Sequence, residues 1–196
     1  DFKKYVGFSL SLSKSALKNP KASNEKKSKF IYNLGEALYQ HSFVIGLDNE
    51  SYNEAKEFVE LAVSVLLEDE NVFNSLQELG KVSNFLYAHS LATSVYSVLI
   101  AKKLEWDSPK TLFHVASAGL FHDLGKIQLK DDPFSNPNDD FSDIAPDLLI
   151  SHAAKGAEML SKVSSIPQEV VTIVRQHHED CLGQGPEGLK MDEIQP

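Results

Sequence analysis

The hydrophobic positions of this chain recur with the spacing of helices over most of its length. Val, Ile and Thr do not alternate with polar residues over runs long enough to predict a strand. An early helix is expected to end at Asn19 and Pro20, because proline cannot continue a helix. The periodicity predicts further helices over residues 25–41, 51–67, 82–104, 109–125 and 148–163, and a last helix that Pro167 opens. The pattern therefore predicts an all-α protein.

Segments rich in turn-forming residues separate these helices. Ser108 is expected to cap the helix whose first residue is Pro109. Residues 130–147 contain three prolines, two asparagines and six aspartates, which predicts a long surface loop. The residues from Gly183 onward predict a second loop, since they are rich in Gly and Pro. We assign residues 1–71 to an N-terminal helical accessory segment and residues 72–196 to the main domain.

Charge and composition narrow the classes of function. The net charge of −9 argues against a surface for duplex nucleic acid, which needs Lys and Arg to displace counterions. An anionic small substrate is compatible with this negative net charge, since a bound metal ion supplies local positive charge. The single cysteine, Cys181, excludes an internal disulfide and a cysteine-rich zinc site. The sequence contains no run of about eighteen apolar residues, so no membrane span is predicted. With no signal peptide visible at the start, we expect a cytoplasmic location.

Histidines occupy the apolar faces of several predicted helices. His89, His122 and His152 lie on the hydrophobic stripes of three different helices, and a fourth helix ends with His177 and His178. A single histidine on such a face is usually an ordinary core residue. Burying several imidazoles in one small core is costly unless something pairs with them, and metal ions supply that pairing. We therefore favour a metal centre; the purely structural alternative predicts no bound transition metal.

The dipeptide His122–Asp123 is the sharpest chemical signal. A carboxylate beside an imidazole can place one oxygen on each of two metals that lie about 3.5–4 Å apart. Ligation by His and carboxylate without thiolates suits Fe, Mn or Zn and argues against a closed structural zinc site. Lys126 follows His122 by one helical turn. It either complements the helix dipole or meets a phosphate and protonates a leaving oxygen, and we favour the second role.

Four sequence motifs carry a resemblance to a known family. They are YAHS at 87–90, FHDLGKI at 121–127, His152 followed by Gly156, and HHEDCLGQGPEGL at 177–189. The chain resembles the HD superfamily of metal-dependent phosphohydrolases and, more narrowly, the HD-GYP family of cyclic di-GMP phosphodiesterases. The resemblance implies an HD-domain helical bundle and a cyclic dinucleotide substrate. It implies metal ligation by His89, His122, Asp123, His152, His177 and His178, with Asp123 as the bridge and Lys126 near the scissile phosphate.

The chain departs from the family pattern after the HHE motif. Asp180 stands in place of a basic residue and Leu182 in place of an aspartate. The tyrosine of the GYP motif is absent, because Gly185 is followed directly by Pro186. Phe85 stands where some members carry a glutamate that binds a third metal. We therefore expect two divalent metal ions, iron first and Mn or Zn as alternatives.

Family members also continue beyond the position of Pro196 into helices that supply another carboxylate ligand and basic substrate contacts. Since the sequence begins with Asp1 rather than Met, we expect a fragment or a processed chain. The N-terminal helices are candidates for binding a signalling partner or for forming a homodimer.

The preferred function is hydrolysis of cyclic di-GMP to a linear dinucleotide or GMP. In this hypothesis Asp123 and Lys126 are catalytic, and the substrate contacts come from Lys126, Gly183, Gly185 and Pro186. The loop Gly183–Gly188 would line the guanine side of the pocket. Two alternatives stay open. The first is a slow or non-catalytic cyclic di-GMP sensor, and the second is an HD phosphohydrolase that acts on another nucleotide.

Overall fold

The computed structural model of the chain describes residues 2–19, 21–44, 47–68, 71–72, 74, 85–129 and 143–194. Helices dominate these residues, and the described part of the chain contains no strand. An isolated antiparallel bridge between Leu182 and Lys190 is the nearest approach to β structure among them. The prediction of an all-α protein is therefore confirmed.

The helices follow the predicted order. They are α1 (Phe2–Leu17), α2 (Asn24–Val44), α3 (Asn49–Glu68), α4 (Phe85–Lys103), α5 (Pro109–Phe121), a 3-10 helix (Leu124–Leu129), α6 (Pro146–Ile150), α7 (His152–Ser161) and α8 (Gln168–Gln176). The predictions for α2, α3 and α4 agree closely with these bounds, although residues 82–84 lie outside the described part. Helical periodicity was enough to predict the bounds of these three helices because each of them buries one continuous face.

The predicted start of α5 is confirmed and its predicted end is wrong. Ser108 caps the helix by accepting a hydrogen bond from the Thr111 N–H at 3.0 Å. The α-helix ends at Phe121 rather than at Gly125, and the chain tightens into the 3-10 helix. The Lys126 N–H donates to the Asp123 carbonyl at 3.0 Å, an i to i+3 hydrogen bond of 3-10 type. This change of helix type occurs at the metal-binding motif.

The single helix predicted over residues 148–163 is also wrong, because the chain forms α6 and α7 with a break at Ser151. The Ser151 hydroxyl donates to the Leu148 carbonyl at 2.6 Å. A serine side chain that competes for backbone carbonyls in this way favours a helix end over a helix interior. Helix α6 begins at Pro146, inside the predicted acidic loop. Residues 130–142 of that loop lie outside the described part.

One hydrophobic core connects the N-terminal helices to the remainder. It extends from Leu17 of α1 to Val174 of α8 without interruption. Helices α1, α2 and α3 pack on one another, and α3 packs on α5. The Tyr39 hydroxyl lies 3.1 Å from the Ser90 hydroxyl, which ties α2 to α4 directly beside His89. The accessory segment thus helps to hold α4 in place, and the boundary between residues 71 and 72 stays a prediction.

Among the described helices, none is both long enough and apolar enough to cross a bilayer.

Candidate metal centre

Helix ends and helix faces converge on one polar cluster inside this core. Helix α4 supplies one imidazole, the end of α5 a second imidazole and a carboxylate, α7 a third imidazole, and the end of α8 the last two. These side chains are His89, His122, Asp123, His152, His177 and His178. All six are the residues that the sequence predicted as metal ligands.

Two glycines allow the backbones to approach closely enough. A Cβ on Gly119 would lie 2.7 Å from the Ser94 Cα, so the backbones of α4 and α5 are in direct contact where the two helices cross. A Cβ on Gly125 would lie 2.0 Å from the His152 carbonyl oxygen and 2.6 Å from the Gly156 N. The first contact brings α4 beside His122, and the second brings the 3-10 helix and Asp123 against α7.

Backbone carbonyls fix the orientation of three of the imidazoles. The Nδ1–H groups of His122, His152 and His177 donate to the carbonyls three residues earlier, at 2.8, 2.6 and 2.7 Å. Because a carbonyl only accepts, Nδ1 carries the proton in each ring. A neutral ring therefore presents an unprotonated Nε2 to the centre. This is the usual second-shell arrangement of metal-binding histidines.

The ligand atoms fall into two groups. His89, His122 and Asp123 form the His89 group, and His152, His177 and His178 form the His152 group; the ligand atoms within each group lie within 4.8 Å of one another. In the His89 group the two Nε2 atoms are 3.2 Å apart. In the His152 group, Nε2 of His152 lies 3.1 Å from Nε2 of His177 and 3.3 Å from Nε2 of His178.

These separations fit metal ligation. Two nitrogens that each lie about 2.1 Å from one ion are about 3.0–3.4 Å apart in octahedral or tetrahedral geometry. The Nε2 lone pairs of His152 and His177 face each other at 3.1 Å, with both ring protons committed to carbonyls. Such a contact is repulsive unless a cation lies between the two atoms. The donor set therefore fits the metal ions that the sequence predicts.

Asp123 lies between the two groups. Its Oδ1 is 3.0 Å from Nε2 of His152, whereas its Oδ2 is 3.4 Å from Nε2 of His122 and 3.6 Å from Nε2 of His89. The side chain is only 2% exposed. Burial alone would raise the pKa of this carboxyl, but its close contacts with the polar rings of His122 and His152 and the charge of Lys126 hold the pKa well below its usual range. Asp123 is therefore a permanent anion with one oxygen directed to each group.

Burial lowers the pKa of three of the imidazoles. It lowers the pKa of His177 to about 3, against a smaller opposing effect of the hydrogen bond to the Val174 carbonyl. Burial likewise lowers the pKa of His89 and of His178, and the Asp123 charge opposes it at both. Neutral imidazoles are the form that binds a metal ion.

The side chain of Lys126 lies beside the cluster, but its backbone is not in the α-helix that the sequence predicts. The sequence predicts that it shares a helix face with His122 one turn earlier. In the structure it lies in the 3-10 helix, and its Nζ is 2.7 Å from Oδ2 of Asp123. The lysine side chain is largely buried, at 16% exposure. A cation is therefore held at the shared carboxylate.

Glu179 and Arg175 hold the loop that the sequence predicts to contact substrate, and its substrate contacts remain a prediction. The Glu179 carboxylate accepts hydrogen bonds from the N–H groups of Glu187 and Leu189, at 2.7 and 2.9 Å. Gly185 lies against this glutamate, because an added Cβ would be 2.6 Å from the Glu179 Cα. Arg175 of α8 forms an ion pair with Glu187.

Glu179 is a residue whose role the sequence reasoning did not assign. Its position in the HHE motif followed by a Gly-rich stretch was the available signal, since an acid directly before a tight loop commonly accepts backbone N–H groups. The side chain of Phe85, on which the expected number of metals depended, lies outside the described part of the structure.

Comparisons with known proteins agree with this geometry. Residues 86–196 match the HD domain family. Over 141 residues the chain is 30% identical to the cyclic di-GMP phosphodiesterase PA4108 of Pseudomonas aeruginosa, a match that covers 71% of this chain and 34% of that protein. The fold is similar to that of Bd1817, an HDG"Y"P protein from Bdellovibrio bacteriovorus, with a TM-score of 0.79 and 20% identity. That match covers 98% of this chain and 62% of the Bdellovibrio chain, so this chain spans only part of each relative.

Proposed function

Because the chain belongs to the HD domain family and, by its motifs and relatives, to the HD-GYP members, we propose that it is a metal-dependent phosphodiesterase acting on cyclic di-GMP. The observation that carries the proposal is the position of Asp123, with one oxygen directed to each group of imidazoles. The Pseudomonas relative, which is named a cyclic di-GMP phosphodiesterase, supports the choice of substrate.

Each group of ligands would hold one divalent ion. The His89 group and the His152 group would share Asp123, and no thiolate takes part. When bound, such a metal pair acidifies a water and polarises phosphate oxygens. Iron, manganese and zinc all accept this donor set, and we keep iron as the first choice.

The protein's own residues perform the remaining tasks. The carbonyls behind His122, His152 and His177 hold the rings in a fixed orientation, which lowers the reorganisation needed during reaction. Asp123 supplies the negative charge that matches the cations. Lys126 places a further positive charge at the same carboxylate, where it can neutralise charge on the phosphate that is cleaved.

Metal content tests the two-ion arrangement. The purified protein loaded anaerobically with Fe(II) or Mn(II) is expected to contain two ions per chain by elemental analysis. His122→Ala and His177→Ala each remove a ligand from a different group, so each is expected to retain about one ion or fewer. His114→Ala changes a histidine outside both groups and is expected to keep the full metal content. Equal loss in all three variants would contradict the assignment of ligands.

Turnover tests the reaction itself. The iron- or manganese-loaded protein is expected to convert cyclic di-GMP to a linear dinucleotide or GMP, measured by chromatography of the products. A panel of nucleotide mono- and triphosphates separates this activity from that of an HD phosphohydrolase with another substrate. A metal-loaded protein that neither binds nor hydrolyses cyclic di-GMP would sink the proposal.

Replacement of Lys126 tests its catalytic role separately from metal binding. Lys126→Met is expected to lower kcat by about 10²–10³-fold, as the loss of one preorganised charged donor does, with metal content unchanged. Lys110→Met is the matched control, since it removes an exposed lysine that forms a 2.9 Å ion pair with Glu169 on the surface. That variant is expected to retain full activity. A Lys126 variant with normal kcat would leave this residue only a structural role.

A sensor without efficient turnover is the second candidate. It is favoured by Asp180, which stands in place of a basic residue and accepts hydrogen bonds from the N–H groups of Leu182 and Gln184, both at 2.9 Å. The altered residue thus organises the loop rather than offering a positive charge to a phosphate. Binding of cyclic di-GMP without products would select this candidate, and the shared core would connect the site to the N-terminal helices.

A further inference from the structure

A groove of about 500 Å³ opens from the metal centre between α4, α5 and α8. The imidazoles of His89, His122 and His177 line one end, and Trp106 lines the other. Apart from these imidazoles and the hydroxyls of Thr93 and Ser97, the lining side chains are apolar. A pocket with one polar end and one apolar end fits a ligand with the same division, a phosphate joined to an aromatic or aliphatic group.

The distal end of the groove exposes large apolar side chains. Ile100 is 59% exposed, Leu104 53% and Trp106 48%. They lie on or just after the last turn of α4, so they form one patch at the groove mouth. A contiguous patch of this kind, next to a polar site, is typical of a ligand-binding surface rather than of scattered surface residues.

The backbone that carries Trp106 is held in an uncommon conformation. Helix α4 ends in a Schellman motif, in which the Trp106 N–H donates to the Ala101 carbonyl at 2.8 Å and the Glu105 N–H to the Lys102 carbonyl at 3.0 Å. Glu105 has φ +62° and is the non-glycine residue with positive φ in the described part of the chain. Glycine adopts this conformation without strain, and glutamate does not. This cap fixes the backbone position of Trp106, whose side chain lines the groove.

We propose that this groove is the subsite for a nucleobase of the substrate, and that Trp106 stacks on the base. The inference rests on the proposed function and adds a base-binding residue to it. Base recognition is thereby assigned to the α4–α5 side of the site. The Gly183–Gly188 loop, to which the sequence reasoning assigned the guanine, is anchored on Glu179 and Arg175. Stacking on an aromatic ring suits any base, because every base offers a π-face.

The fluorescence of Trp106 provides a direct test, because it is the only tryptophan in the chain. The manganese-loaded protein is titrated with GMP, with ribose 5-phosphate and with inorganic phosphate. GMP is expected to change the emission strongly and to bind more tightly than ribose 5-phosphate, whereas the two ligands without a base leave the emission nearly unchanged. Equal emission changes with all three ligands, or none with GMP, would overturn the subsite.

Substitution gives an independent readout. Trp106→Ala is expected to raise KM for cyclic di-GMP by about 5- to 100-fold with kcat and metal content little changed, and Trp106→Phe to recover most of the loss. Phe8→Ala is the matched control, since Phe8 is a 63% exposed aromatic residue of α1. Normal hydrolysis with an unchanged KM in Trp106→Ala would contradict the subsite alone. Absence of binding and hydrolysis in the unmodified protein would contradict the proposed function as well.

Discussion

Replacing Asp123 with asparagine is expected to lower phosphodiesterase activity by at least about a thousandfold and to reduce metal content below one ion per chain. The change keeps the shape of the side chain and removes its charge. Oδ1 and Oδ2 of Asp123 are directed to different ligand groups, so both groups lose their shared anion at once. Elemental analysis and turnover of cyclic di-GMP, measured on the same preparation, give both effects.

The metal-free protein provides a second readout for the same variant. Lys126 is largely buried, and its Nζ lies 2.7 Å from Oδ2 of Asp123, so the asparagine removes a carboxylate charge that lies directly beside a largely buried ammonium group. We expect the free energy of unfolding to fall by about 3 kcal/mol in urea denaturation at neutral pH. Asp192→Asn, at an exposed position, is expected to change it by less than about 0.5 kcal/mol.

The pH dependence of this stability has a definite sign. The pKa of Asp123 in the folded protein is lowered, so its stabilising contribution is present above the ordinary aspartate pKa of 3.8 and is lost as the pH falls below that value. The difference in unfolding free energy between the unmodified protein and Asp123→Asn should therefore be constant near neutral pH and shrink in acid. A variant with full metal content and normal stability would contradict the bridging position of this carboxylate.

Gly125→Ala is expected to destabilise the protein by about 3 kcal/mol or more and to lower its metal content. An added Cβ would lie 2.0 Å from the His152 carbonyl oxygen, and this neighbour is backbone that cannot rotate away. The 3-10 helix must therefore move off α7, which separates Asp123 from His152. Urea denaturation of the metal-free protein measures the first effect, and elemental analysis after metal loading measures the second.

Gly7→Ala is the matched control for this substitution. Gly7 lies inside α1, and nothing lies within 4 Å of an added Cβ there. Alanine is expected to stabilise the protein at this position by about 0.5–1 kcal/mol, because glycine is the less favourable residue inside a helix. The same chemical change should thus have opposite signs at the two sites. Similar small effects at both would mean that the contact between the 3-10 helix and α7 is looser than the structure describes.

The sequence alone predicted which side chains form the metal centre. His122 and His152 are buried, as their predicted positions on apolar helix faces imply, and a buried polar ring needs a partner. The same reasoning is wrong for His89, whose side chain is 44% exposed. The dipeptides at 122–123 and 177–178 added the remaining ligands through their resemblance to known motifs. Residue type and helix face are local properties, so they can be read without the fold.

The sequence did not predict the two changes of backbone direction beside the site. A regular period continues through Gly125 and through Ser151, yet α5 ends at Phe121 and α6 is separate from α7. Both outcomes depend on contacts with other segments of the same chain. The 3-10 helix packs against α7 at Gly125, and the Ser151 hydroxyl takes a backbone carbonyl. Such contacts leave no trace in the hydrophobic pattern.

What the sequence determined by itself is therefore the all-helical class, which follows from helical spacing, and a candidate set of six side chains, which comes from helical spacing together with the family resemblance and which the structure brings into one cluster. Tertiary structure alone decided how the ligands divide into two groups, which oxygen of Asp123 is directed to each group, and where a substrate groove opens. Nε2 of His89 lies 3.2 Å from Nε2 of His122, although the two residues are 33 positions apart in the sequence. A distance of that kind is set by how closely helices cross at Gly119 and Gly125, and packing at the scale of one ångström is a property of the folded chain.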